Sequence, residues 1–222
     1  DYSNDTATAV AKATYPSTVT PYGLSNAAGT GNSTHGYAAG GNGDVSYVWR
    51  IDYANDTADA VQKGPLSLGR IRFSAASPLE NGLPSKSPGP VDKGAHGYTT
   101  STPGPAYGYF AGGSGISTVQ RIDYSSDSST PLVRGNLSSE QSKGGGTGNI
   151  THGYALGGDA PSTSSKVHRV DYASDTSTAS VRGPLSTAGS YMQSIGNANF
   201  GYSGGRNIRK NHSASCNDHS GP

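Results

Sequence analysis

Apolar and polar residues alternate in three short runs of this chain: Val48-Trp-Arg-Ile-Asp-Tyr53, Val119-Gln-Arg-Ile-Asp-Tyr124 and Lys166-Val-His-Arg-Val-Asp-Tyr172. A period of two puts neighbouring side chains on opposite faces, so each run predicts a half-buried β-strand. In the third, Val167, Arg169 and Asp171 share one face, and His168, Val170 and Tyr172 share the other. A polar cluster follows, Ala173-Ser-Asp-Thr176, whose short side chains bond nearby backbone amides and favour a turn. The chain then returns through Ser177-Thr-Ala-Ser-Val-Arg182 and stops at Gly183-Pro184, which predicts a hairpin with a loop of roughly four residues.

Upstream of each alternating run lies an aromatic followed by paired glycines: Gly36-Tyr-Ala-Ala-Gly40-Gly41, Gly108-Tyr-Phe-Ala-Gly112-Gly113 and Gly153-Tyr-Ala-Leu-Gly157-Gly158, with a shorter Gly201-Tyr-Ser-Gly-Gly205. This phrase predicts a short buried strand whose end needs glycine for close approach of a neighbouring backbone. Before the last copy, Ser190–Ile195 predicts a strand closed by a Gly196-Asn197 turn. Four short strands per unit match one blade of a propeller.

The Asp-Tyr phrases begin at Asp1, Asp52, Asp123 and Asp171, spacings of 51, 71 and 48 residues. The excess in the middle interval maps to Ser77–Tyr107, which holds Pro78, Pro84, Pro88, Pro90, Pro103 and Pro105. Proline cannot donate to a sheet ladder, so residues 77–107 are expected to be an extended loop inserted in one blade. The chain opens with a second hairpin (1–15) and ends with a first hairpin (190–206). Joining these halves predicts an all-β, four-bladed closed propeller over residues 1–206, followed by a polar tail at 207–222. Ring closure removes two sheet edges. A segment of a longer ring, or an open stack, is the competing architecture.

Composition narrows the function. The 222 residues include 33 Gly and 13 Pro, and the aromatics are 14 Tyr against 3 Phe and 1 Trp. The core must therefore use Tyr, whose ring packs while its hydroxyl finds a polar partner. Net charge is +1 with no basic run, so nucleic acid is a poor partner. No stretch of about 18 apolar residues exists, so no membrane span is expected. The single cysteine, Cys216, excludes an internal disulfide framework and a zinc site built on cysteines. Asp1 falls within a repeat, which suits a mature product, a trimmed one or part of a longer one.

Candidate chemistry is sparse. Arg50/Asp52, Arg121/Asp123 and Arg169/Asp171 stand two apart on one strand face. Recurrence in every unit favours a structural use over a ring of ligand-binding charges: Arg reaching carbonyls or the adjacent blade, Asp fixing the turn. The spacing of Asp52/Asp56, Asp123/Asp127 and Asp171/Asp175 lacks the density of a calcium loop. His35, His96 and His152 each precede Gly-Tyr, but repetition spreads equivalent residues around a ring, so no metal and no cofactor is expected. The tail cluster His212, Cys216, Asp218 and His219 is expected to be flexible. No nucleophile elbow, phosphate loop, zinc-protease helix or paired-carboxylate signal appears, so the chain is not expected to be an enzyme. Asn-x-Ser/Thr sequons at Asn4, Asn32, Asn55, Asn136, Asn149 and Asn211 would carry glycans only in a secretory eukaryote.

The unit Gly-Tyr-x-x-Gly-Gly, variable loop, Val-x-Arg-Ile-Asp-Tyr, turn, Arg182-Gly-Pro-Leu-Ser186 resembles kelch-type repeats. Lys63-Gly-Pro-Leu-Ser67 fits the same phrase and Arg134-Gly-Asn-Leu-Ser138 is near it. The wording is similar to kelch-like repeat proteins of marine tailed bacteriophages, particularly cyanophages, found in virion structural or tail-fibre proteins. One departure is Trp49, the only Trp, which stands before the turn rather than on a blade's last strand. The resemblance implies a non-enzymatic virion or extracellular appendage protein, with other virion or appendage subunits as partners and a homo-oligomeric assembly. The alternative is a secreted lectin with repeated sites for a surface glycan. In either case Tyr98, Tyr107 and Tyr109, with His96, are the candidate ligand contacts, because Tyr offers both stacking area and a hydroxyl.

Overall fold

The computed structural model describes residues 8, 10–12, 14–16, 24–32, 34–77, 107–196 and 200–206. Within them the chain is all-β, with no α-helix. Three antiparallel sheets of four strands follow one another, each ordered as a simple meander. The first contains β1 (Ala28–Gly31), β2 (His35–Ala39), β3 (Val48–Asp52) and β4 (Val61–Gln62). The second contains β5 (Ser74–Ala76), β6 (Tyr107–Ala111), β7 (Ile116–Asp123) and β8 (Leu132–Gln141). The third contains β9 (Gly145–Gly148), β10 (His152–Leu156), β11 (Val167–Asp171) and β12 (Ser180–Arg182). A further hairpin joins β13 (Ser190–Gly196) to β14 (Gly201–Arg206).

The aromatic-glycine phrases form the second strand of each sheet, and the Arg-x-Asp runs form the third. Their registers are equivalent: His35 faces Asp52, Tyr107 faces Asp123 and His152 faces Asp171. Tyr107 thus fills the place that His35 and His152 hold elsewhere. The insert falls between β5 and β6. Most of it, including His96 and Tyr98, lies outside the described residues, as do residues 1–7 and the tail from 207. Each third strand ends in an Asp that caps a single 3₁₀ turn: the Oδ1 atoms of Asp52, Asp123 and Asp171 accept from the amides of Ala54, Ser125 and Ala173 at 2.9, 2.9 and 3.0 Å.

The core lies between sheets rather than beneath any one of them. Tyr37, Ala39, Val48 and Leu66 of the first sheet and the loop after it pack against Phe73, Phe110, Ile122 and Tyr124 around the second. Tyr109, Ala111, Val119 and Leu137 pack in turn against Ala155, Val170 and Ala179. A two-layer contact of this kind is the only way such short, glycine-rich strands can bury an apolar face. The paired glycines set the spacing. Gly40, Gly112 and Gly157 adopt φ of +66, +69 and +60°, and a Cβ on them would collide with the carbonyls of Arg70, Gln141 and Gly189, which lead into the next inner strand. The second glycine of each pair donates its amide to those same carbonyls at 3.0, 2.7 and 2.7 Å (Gly41, Gly113 and Gly158). No helix among the described residues is long and apolar enough to cross a membrane.

Candidate functional site

The inter-sheet ties fix the frame around the site. Asp127, in the turn after β7, accepts from Tyr37 Oη at 2.8 Å and Arg50 Nη1 at 2.8 Å, and pairs with Lys63 Nζ at 3.2 Å. The amide of Gly64 donates to its backbone carbonyl at 2.8 Å. One sheet later the cluster recurs: Asp175 accepts from Tyr109 Oη at 3.0 Å and Arg121 Nη1 at 2.8 Å, pairs with Arg134 Nε at 3.3 Å, and takes the Gly135 amide at 2.8 Å. In both, the tyrosine of one sheet stacks on the Asp-Tyr tyrosine of the next: Tyr37 on Tyr124 at 4.9 Å, Tyr109 on Tyr172 at 4.6 Å.

Burial by itself would raise the Asp127 carboxyl, but the hydrogen bonds from Tyr37 and Lys63 and the charge of Arg50 hold it below the usual range. Burial raises the Tyr37 and Tyr109 hydroxyls, and their carboxylate partners raise them further. These protons stay on the tyrosines, and each hydroxyl acts as a fixed donor. Tyr109 is therefore buried in a tie (2% exposed) instead of standing on the loop surface expected for a ligand contact. Tyr107 is half-buried beneath the Arg121 guanidinium, 4.0 Å from its ring centre. Of the sequence-predicted set, Arg50, Arg121, Asp52, Asp123, Asp171 and the glycine pairs all have places in turns or ties; Arg169 is the exception, its Nε buried without a hydrogen-bond partner.

What the ties position is a cavity shared by all four units. Strand β1 packs beside β5, β5 beside β9, and β9 beside β13. Two residues before β1, β5 and β9, and at the second residue of β13, the backbone is left-handed: Asn26, Arg72, Lys143 and Tyr191 have φ of +64, +56, +56 and +53°. A non-glycine residue in that region persists only where surrounding contacts impose it. Here the contacts are hydrogen bonds from sheet to sheet: the Arg72 amide to the Asn26 carbonyl at 2.9 Å, Lys143 to Arg72 at 2.6 Å, and Met192 to Lys143 at 3.1 Å.

These four segments line one cavity of about 240 Å³. A second cavity of about 520 Å³ shares Gly29, Ala75, Gly146 and Ser194 with it, one residue from each of β1, β5, β9 and β13. Two side chains along the first cavity, Arg72 and Lys143, can only donate, and Asn26, Tyr191, Gln193 and Ser194 add groups that donate or accept. Lys143 Nζ pairs with Asp159 at 2.7 Å and lies 5.0 Å from the Tyr191 ring centre. Arg72 Nε is buried there without a hydrogen-bond partner. Such a set suits a ligand rich in acceptor oxygens.

Two residues before Arg72, Arg70 is fully buried and donates from Nη1 to the carbonyls of Gly112 and Thr118 at 2.9 and 3.2 Å; burial lowers its pKa to about 10. Gln141, at the equivalent place, donates to the Gly157 carbonyl at 3.0 Å. Sequence reasoning missed Arg70, Arg72, Lys143 and Tyr191, because nothing in their types announces a left-handed or fully buried position. Asn26 alone is of a type that favours one. Among the described residues no group of three or more His, Cys, Asp or Glu could hold a metal ion. No protein-family model matches the chain, and no similar curated protein was found.

Proposed function

We propose that the chain is a kelch-like propeller of four blades that works as a rigid, non-enzymatic module of a virion or extracellular appendage. The observation that carries this reading is the repeated inter-sheet tie. Asp127 and Asp175 bind matching Tyr, Arg and Lys or Arg groups of the preceding sheet. Buried charge is thereby spent on holding sheet to sheet, and the four inner strands meet at one pair of cavities. A frame built this way presents loops at fixed positions, and loops on such a frame are where contacts with partners concentrate. The Pro-rich insert falls between β5 and β6 in the sequence, and its Tyr98 and His96, which lie outside the described residues, are with Tyr107 our proposed contacts for a neighbouring subunit or a host surface. Immunogold electron microscopy of the native source tests this: label on a particle or filament is expected, and label confined to free soluble protein would refute it.

The lectin reading draws on a different observation, the donor-lined mouth at Asn26, Arg72, Lys143 and Tyr191. Sugar hydroxyls would accept from Arg72 and Asn26 while a ring face lies on Tyr191. Binding on a glycan array that disappears in Arg72→Ala and Tyr191→Ala would support this reading. An array silent at high protein concentration would remove it.

A further inference from the structure

The cavity of about 240 Å³ carries one sign of charge: among the described residues that line it are two cations, Arg72 and Lys143, and no carboxylate. The backbone brings the two together, since the Lys143 amide donates to the Arg72 carbonyl at 2.6 Å. Their charges are not equally free. Lys143 Nζ is held by Asp159 at 2.7 Å, whereas Arg72 forms no ion pair among the described residues. Arg72 Nε is buried without a hydrogen-bond partner, and so is a second atom on the same wall, Ser194 Oγ. Buried polar atoms left unpaired are costly and uncommon, so two of them facing one cavity point to an occupant that meets both. The left-handed backbone does not account for the cations either. Asn, as at residue 26, suits that conformation, while Arg and Lys do nothing to favour it.

We infer that this cavity takes the terminal residue of an anionic glycan, with its carboxylate or sulfate on Arg72 beside Lys143, a hydroxyl on Ser194 Oγ and its ring against Tyr191. This rests on the lectin reading of the same cavity and names the ligand class that the reading leaves open. The planar guanidinium fork matches the paired oxygens of an oxyanion, and such charge-assisted bonds are about twice as strong as those to a neutral hydroxyl. Arg72 is the discriminating group, because the charge of Lys143 is already shared with Asp159. Tyr191 is 46% exposed and offers ring area at the edge of the site. The volume sets the length of what enters. It lies below the roughly 300–1,000 Å³ of pockets for drug-sized molecules, so one sugar residue fits and the rest of the glycan stays outside.

An NMR titration of the full chain tests it, with methyl glucuronide, a sulfated methyl glucoside and neutral methyl glucoside as probes and the Arg72 Nε–H resonance as the readout. At least one acidic probe should move that resonance and bind about tenfold or more tighter than the neutral one. The preference should shrink as salt is raised and vanish in Arg72→Gln. Whichever acidic probe binds tighter identifies the oxyanion. Equal binding of all three probes would overturn the anionic class and leave the lectin reading standing. Acidic binding with the Arg72 resonance unmoved would overturn it too, by placing the oxyanion elsewhere. Silence with all three would sink the inference, and a silent glycan array beside it would remove the lectin reading as well. A second variant leaves both cations in place: Ser194→Ala should weaken every probe several-fold while keeping the acidic preference, and unchanged affinities would contradict the site.

Discussion

At the level of single residues, the buried carboxylates of Asp127 and Asp175 are each held by cations of the preceding sheet. The side chain of Asp127 is 8% exposed and faces Arg50, Lys63 and Tyr37. Removing the carboxylate leaves two cations partly buried and unpaired, so Asp127→Ala should destabilise by about 3 kcal/mol or more in urea unfolding. The folded pKa of Asp127 lies below its unfolded value. Its contribution is therefore complete above the usual carboxylate range and lost as pH falls through the folded value. His168 behaves in a related way. It is 2% exposed, 3.1 Å from Ser138 Oγ, and held below the ordinary histidine pKa by burial and by Lys166. Protonation is therefore easier in the unfolded chain, and stability should fall as pH drops below about 6.5. His168→Gln should flatten that part of the profile; a profile unchanged by the substitution would contradict the assignment. Gly40→Ala combines a left-handed φ with a backbone collision and should cost at least about 1–2 kcal/mol, whereas Gly43→Ala meets only an ordinary contact with Val45 and should cost only the conformational part.

The strands themselves are short and expose apolar residues on their outer edges, including Val61, Leu132, Val133 and Val181. Their stability comes from the face shared with the next sheet, where Phe110 and Ile122 are almost wholly buried. Phe110→Ala should cost about 3–5 kcal/mol and should loosen both neighbouring sheets, as judged by amide exchange in β2 and β6. Much at this scale was legible in the sequence. The period of two in Val48–Tyr53, Val119–Tyr124 and Lys166–Tyr172 marks the third strands, and the glycine pairs mark the ends of the second. The returning strand is shorter than the pattern predicts: Ser177–Arg182 reads as strand, but only Ser180–Arg182 pairs, because Ser177 closes the 3₁₀ turn by donating to the Ser174 carbonyl. The equivalence of Tyr107 with His35 and His152 was hidden by His96-Gly-Tyr98, which carries the same wording inside the insert.

For the molecule as a whole, repetition brings one strand from each of the four units to a shared pair of cavities. The spacing of the Asp-Tyr phrases leads to the expectation of radially arranged sheets, but the residues that line the shared cavity could not be found from it. Asn26, Arg72, Lys143 and Tyr191 share no residue type; what they share is a backbone conformation imposed by hydrogen bonds across sheets. Tyr109, read from sequence as a contact for a ligand, lies in a tie because its hydroxyl has a carboxylate in the adjacent sheet. The central claim of the proposed propeller is that these sheets are joined to one another in sequence near the starts of their first strands. Trans-hydrogen-bond scalar couplings between amide nitrogen and carbonyl carbon test it most directly, read at Arg72–Asn26, Lys143–Arg72 and Met192–Lys143. All three couplings should be detectable at the strength of the bonds within β2–β3; couplings inside the sheets with none at these three pairs would contradict the account.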